Sequence, residues 1–198
     1  MKKPSGKGFP GGRNNRSLKG ANIMELEEIL RLRKTCRAYT DEPISPEELD
    51  FILRAAQRAP LAAGDNKTTF LTVVRQGALL EEIRETCTLV NKTTGVRKDA
   101  LYGAQTLIVF SAADVSDDHI EYANAGCVIE NMHLAATALG LGSTYIWGCL
   151  RKLRKNGSLV AKLELPEGYE ILSAFAVGHP AQPLTEREYV QNFGMKIF

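Results

Sequence analysis

Asn124-Ala-Gly-Cys-Val-Ile-Glu-Asn-Met-His-Leu-Ala-Ala-Thr-Ala-Leu-Gly-Leu-Gly-Ser-Thr-Tyr-Ile-Trp-Gly148 is the stretch on which the reading of this chain turns. Ala123, Cys127, Leu134, Ala135, Ala138 and Leu139 recur at helical spacings, which predicts a long helix of mostly small residues. Gly140 stops it. The run Ser143-Thr-Tyr-Ile-Trp147 then changes to β-favouring residues and predicts a short strand ending at Gly148. So little side-chain bulk on the helix lets a neighbouring backbone or a flat ring approach closely.

The elements on either side alternate between the two periods. An amphipathic helix is predicted over 24–33, followed by an extended piece around Arg37-Ala-Tyr-Thr40. Ser45-Pro-Glu-Glu48 is a capping box with proline at the first helical position. It opens a helix with Leu49, Ile52, Leu53 and Ala56 on one face, limited by Pro60. Strands are predicted at 70–74, 106–110 and 170–177, and helices at 78–90 and 150–163, the last interrupted at Asn156-Gly157. Residues 91–103 are read as irregular. With no repeat and no linker, residues 24–198 are expected to form one α/β-type domain.

Composition narrows the function. A hydrophobic content of 44% against 24% charged residues is that of a globular chain with a real core. No apolar run reaches membrane-spanning length, so a cytoplasmic protein with no membrane partner is expected. Cys36, Cys87, Cys127 and Cys149 lack metal-type spacing, and His119, His133 and His179 supply no metal-spaced pair. No metal site and no disulfide framework are therefore expected, and Cys36 and Cys127 are read as small packing residues.

The net charge of +2 hides two pieces. Residues 1–23 hold six basic residues and no acid, which leaves 19 basic against 23 acidic residues in the remainder. That basic tail, rich in Gly, Ser and Asn, reads as a disordered arm, with Met24 as an alternative natural start. Because the body is not basic, no nucleic-acid partner is expected.

Three segments can carry chemistry. Arg33-Lys34-Thr35-Cys36-Arg37 leaves a helix for an extended segment, so Arg33, Thr35 and Arg37 share one side and can converge on an anion. Pro60-Leu-Ala-Ala-Gly-Asp-Asn66 is a small, polar loop between helix and strand. Tyr145-Ile146-Trp147-Gly148 ends a strand beside the sole tryptophan, and strand ends favour ligands in α/β proteins. Taken singly, each is equally a solvated basic cluster, a turn and a core aromatic.

In this order and spacing the three segments resemble the nitroreductase family of FMN-dependent oxidoreductases. The family's Arg-Arg-Ser-x-Arg-x-Phe/Tyr is matched by Arg33-Lys-Thr-Cys-Arg-Ala-Tyr39. Its Ala-Pro-Ser-Ala-x-Asn loop is matched by Ala59-Pro-Leu-Ala-Ala-Gly-Asp-Asn66, with Leu61 in place of Ser and Thr68-Thr69 in place of a following Pro-Trp. Its long-helix motif ending Leu-Gly-Leu-Gly-Ser-x-Trp-Ile is similar to residues 125–146. Its final strand with Gly-Tyr/His-Pro is similar to Ala174-Phe-Ala-Val-Gly-His-Pro180.

The resemblance covers residues 24–190 and implies a mixed α+β sheet flanked by helices in three layers, in an intertwined homodimer. It implies FMN as cofactor, NADH or NADPH as electron donor, and a small electron-poor acceptor reduced by a ping-pong mechanism. Arg33 and Thr35 would hold the FMN phosphate, Arg187 would complete that site, and Lys34 would be among the cofactor-binding residues. Arg37 and Asn66 would reach the pyrimidine edge, where positive charge stabilises the reduced ring. Tyr145, Ile146, Trp147 and Gly148 would line the isoalloxazine. No acid–base residue of the protein is required for hydride transfer. A flavin-binding carrier or sensor without efficient turnover, a family member specialised for its own flavin or one metabolite, and a flavin-free ligand-binding domain remain alternatives.

Overall fold

Seven residues from Thr106 to Ala112 are all buried, and this strand is the axis about which the chain is built. The computed structural model describes residues 25–64, 67–188, 190 and 193–198. The expected basic tail with Met24, and also Asn66 and Tyr189, lie outside the described residues. In chain order the elements are α1 (Leu26–Leu32), α2 (Pro46–Ala56), β1 (Thr69–Arg75), α3 (Ala78–Cys87), β2 (Leu89–Val90), β3 (Arg97–Lys98), β4 (Thr106–Ala112), α4 (Ile120–Ala138), β5 (Gly142–Ile146), α5 (Leu150–Lys155), α6 (Gly157–Ala161) and β6 (Glu170–Gly178).

The main sheet has the order β1-β4-β6-β5. Its named strands pair antiparallel, with a register shift at Phe110/Ser111. A parallel bridge from Thr35 to Ser143 makes the sheet mixed at its β5 edge. One face buries Ile108, Phe110, Phe175 and Val177 against α2 and α4. The other buries Leu107, Val109, Ala174 and Ala176 against α3, α5 and α6. A strand covered on both faces has no reason to alternate polar and apolar residues, which accounts for the unbroken run in β4. The result is the expected three-layer α/β/α arrangement.

Local signals account for many boundaries. The Ser45 hydroxyl accepts from the Glu48 N–H at 3.1 Å while the Glu48 carboxylate accepts from the Ser45 N–H at 2.7 Å, closing the capping box. Asn156 both ends α5 and caps α6, so the expected interruption is real. Gly140 turns the chain after α4 at φ 73°, a conformation that disfavours a side chain.

Two local expectations need correction. The helix expected over 78–90 ends at Cys87, and Leu89–Val90 instead pairs with Arg97–Lys98 across a turn closed by Asn91. Residues 91–103 are thus not wholly irregular. The asparagine side chain, by accepting from the Thr93 and Thr94 N–H groups, offers the chain a turn that competes with continued helix.

Not all of the small apolar residues that predicted α4 are buried in it. Its buried residues are Ala125, Val128, Ile129, Met132, His133, Ala135, Ala136 and Thr137, whereas Ala123 and Cys127 are exposed. Cys127 is therefore not a packing residue of this chain, although Cys36 is. Apolar residues lie on more than one side of α4, so period alone could not choose the face that meets the sheet.

Candidate active site

The segment after α1 is docked along the β5 edge. The Cys36 N–H donates to the Ser143 carbonyl at 2.9 Å, and the Cys36 side chain packs inward over Gly142. Alternation then turns Thr35 and Arg37 outward, where both are exposed. Behind them, the Tyr39 hydroxyl meets the Thr144 hydroxyl at 2.9 Å and donates to the Cys36 carbonyl at 3.2 Å. Thr144 also donates to the Cys36 carbonyl. Burial pushes the Tyr39 phenol far above its ordinary range, so it serves as a neutral strut.

Two cationic side chains and the Arg187 backbone meet at the start of this segment. Arg33 lies 3.6 Å from Glu130 of α4. Lys34 donates to the Thr185 hydroxyl at 2.6 Å, and the Arg187 N–H donates to the Arg31 carbonyl at 3.0 Å. The structure therefore brings Arg187 to the same end as Arg33 and Lys34. Arg37 has no hydrogen-bond or ion-pair partner among the described residues.

Beneath this edge His133 contacts the Ser143 hydroxyl through Nδ1 at 2.7 Å. Its pKa is lowered to about 4, first by burial and then by the nearby Arg33 charge, so the ring is neutral near pH 7.

The far end of β5 opens on a cleft of about 380 Å³ walled by Tyr102, Tyr145, Trp147, Gly148 and Arg151. Tyr145 and Trp147 are exposed, with ring centroids 6.4 Å apart, and Tyr122 meets the Trp147 ring edge-on at 5.5 Å. The sole tryptophan is thus a surface residue. Ile146 points the other way, into the core, so only its backbone faces this end. The N–H groups of Gly148 and Cys149 donate to no described residue.

The 60–68 loop is anchored from α4. The Asn124 side chain accepts from the Ala62 N–H at 2.9 Å, and Ala63 follows at φ 54°. Asn66 lies outside the described residues, so no placement is given for that expected contact.

The segment Arg33–Arg37 therefore runs along the β5 edge that leads to Tyr145–Gly148, with the Arg187 backbone at its start. Glu130, His133, Asn124 and Thr144 were not anticipated, because their partners lie ten or more residues away and no local pattern announces them. A planar, phosphate-bearing group fits this donor set. Charged and hydroxyl donors stand at one end, a lone guanidinium follows, and free backbone N–H groups and aromatic faces stand at the other.

The chain belongs to the Nitroreductase family, whose profile matches residues 30–179. It is 30% identical over 162 residues to an Archaeoglobus fulgidus protein named as a candidate NADH dehydrogenase/NAD(P)H nitroreductase, covering 78% of this chain and 87% of that one. It is 28% identical over 177 residues to a Bacillus subtilis FMN reductase [NAD(P)H], covering 79% of this chain and 66% of that one. A Bacteroides fragilis nitroreductase crystallised with bound FMN superposes with a TM-score of 0.71 at 25% identity, over 88% of this chain and 99% of that one.

Proposed function

We propose that this protein is an FMN-dependent oxidoreductase. It takes hydride from NADH or NADPH and passes it to a small electron-poor acceptor, such as a nitroaromatic or a quinone, in two alternating half-reactions. The observation that carries this reading is the alignment of Arg33, Thr35 and Arg37 along β5 toward Tyr145–Gly148, in a chain of this family. Relatives named for FMN reduction and a similar structure holding FMN support it.

FMN, when bound, supplies the hydride chemistry. Arg33 and Thr35, with Lys34 and Arg187 beside them, hold its phosphate. Arg37 would place a positive charge at the pyrimidine edge, where charge develops on reduction, and by the family resemblance Asn66 would hydrogen-bond the same edge. Tyr145, Trp147 and Gly148 with the Ile146 backbone line the ring and exclude water from one side of it.

The working form is a homodimer. Ala123, Cys127, Leu134 and Ala138 leave one side of α4 open, and Phe193, Met195, Ile197 and Phe198 of the C-terminal segment are exposed. A second copy of the chain covers both.

The test is reconstitution of the purified protein with FMN, followed by anaerobic addition of NADH or NADPH. Yellow protein that bleaches on addition of the donor supports the reading. A protein that gains no flavin spectrum removes it. Because Leu61 departs from the family's loop, a carrier or sensor is the second reading, and bound FMN that resists bleaching selects it. Arg33→Ala should weaken FMN binding; unchanged affinity removes the phosphate assignment.

A further inference from the structure

Two thiols outside the proposed flavin contacts meet where α3 ends and α5 begins. Cys87 is the last residue of α3, and Cys149 immediately precedes α5. The pair is 62 residues apart in sequence, yet the Cys87 thiol lies 3.8 Å from the Cys149 carbonyl oxygen. It is also close enough to hydrogen-bond the Cys149 sulfur. Both side chains belong to the core cluster on this face of the sheet, with Leu80, Leu101 and Leu150. The other cysteines lie elsewhere: Cys36 donates to the Ala38 carbonyl beside β5, and Cys127 is exposed on α4.

The two thiols are not equivalent. Cys87 is fully buried, and its hydrogen bond to Cys149, then burial, push its pKa far up, so it keeps its proton. Cys149 is 6% exposed and lines the cleft at the end of β5. The hydrogen bond from Cys87 lowers the Cys149 pKa against the opposing effect of burial, and the Lys152 ammonium acts in the same direction. That ammonium is fixed across the same junction, since it donates to the Thr88 carbonyl. The acid that opposes a thiolate here, Asp99, is paired with Arg84 at 2.5 Å. One sulfur is thus within reach of a small solute and favoured as thiolate, and a protonated second thiol stands against it.

We propose that Cys87 and Cys149 form a peroxide-sensitive dithiol site that closes to a disulfide. Cys149 gives up its proton and attacks one peroxide oxygen. The O–O bond breaks, the other oxygen takes that proton and leaves as water, and Cys149 becomes a sulfenic acid. The Cys87 sulfur then attacks Cys149 while its proton passes to the departing hydroxyl. An S–S bond forms, the S–O bond breaks, and a second water leaves. The two sulfurs lose two electrons in all, and the peroxide gains them. A thiol reductant restores the open form by exchange. The closed form ties α3 to α5 at the residue after Gly148 and so clamps the end of β5. Nothing in this site rests on the flavoenzyme reading.

The test treats the full chain carrying Cys127→Ser, which removes the exposed thiol, with hydrogen peroxide and follows intact mass and peptide maps. A loss of two hydrogen atoms is expected, carried by a linked peptide pair joining Cys87 to Cys149 and reversed by dithiothreitol. The urea midpoint should rise on closure, because the bond restricts a long loop of the unfolded chain, and should fall back on reduction. Cys87→Ser should stop at the Cys149 sulfenic acid, trapped by dimedone, whereas Cys149→Ser should give no adduct at Cys87. Cys87→Ala serves the same purpose where the core does not tolerate the serine hydroxyl.

A disulfide joining any other pair overturns the proposal, as does oxidation of Cys149 to sulfinic acid with no link formed. So does survival of both thiols in peroxide that oxidises Cys127 of the unaltered chain. A dimedone adduct at Cys87 in the Cys149→Ser protein overturns the assigned order of attack.

Discussion

Cys36 occupies the space that a side chain at position 142 would need. A Cβ built on Gly142 would lie 2.6 Å from Cys36 Sγ and 2.9 Å from its Cβ. The backbone of Gly142 is not left-handed, so the constraint is one of volume. Gly142→Ala should therefore cost about 1–3 kcal/mol through overpacking. It should also push the 33–37 segment from the strand and weaken FMN binding. Combining it with Cys36→Ala should recover part of both losses. Denaturant unfolding and FMN titration of the three variants check this; additive losses in the double variant would exclude the packing argument.

His133 makes stability depend on pH. Its pKa is about 4 in the folded chain against an ordinary value of 6.5. Between those values the unfolded chain binds a proton that the folded chain does not, so stability is full above pH 6.5 and is lost as pH falls toward 4. The slope should approach about 1.4 kcal/mol per pH unit inside that window. His133→Gln should remove this slope whatever it does to stability at pH 7. Urea unfolding at several pH values from 4.5 to 7.5 measures it.

How much was legible in the sequence follows from the range of each interaction. The Ser45–Glu48 box and the Asn156 break involve neighbours three residues apart or closer, and both were readable. The hairpin of β2 and β3 was not, because two-residue strands carry no periodicity. Arg33, Thr35 and Arg37 could be proposed to share a side from alternation alone. That Ser143 is the residue they lie against, and that Glu130 faces Arg33, depends on pairings about a hundred residues away in sequence. The helix α4 was legible as a helix, but which side meets the sheet was not, since small apolar residues cover more than its buried side.

Glu130 should oppose the phosphate that Arg33 is proposed to hold. The two side chains are 3.6 Å apart, and Glu130 is half exposed, so the pair is weak. Removing the carboxylate frees Arg33 and takes a negative charge from beside an anion. Glu130→Gln should tighten FMN by about two- to fivefold, the scale of an exposed ion pair. Riboflavin, which has no phosphate, should bind as before. Equal changes for the two flavins would place the effect on the ring rather than on the phosphate.

Cys127 offers a direct probe of the proposed dimer. It is the exposed thiol, while Cys36, Cys87 and Cys149 are buried. In an isolated chain an exposed thiol reacts with iodoacetamide as fast as a small peptide does, and buried ones wait for unfolding. If a second copy covers the open side of α4, Cys127 is protected as well. Labelling of native protein should then be slow at concentrations where light scattering gives a dimer, and should accelerate on dilution into the monomer. Cys127→Glu, which forces a charge into that contact, should shift the mass toward the monomer. Rapid labelling of Cys127 in a particle that keeps its dimeric mass would take α4 out of the interface and leave the exposed C-terminal aromatics as the contact.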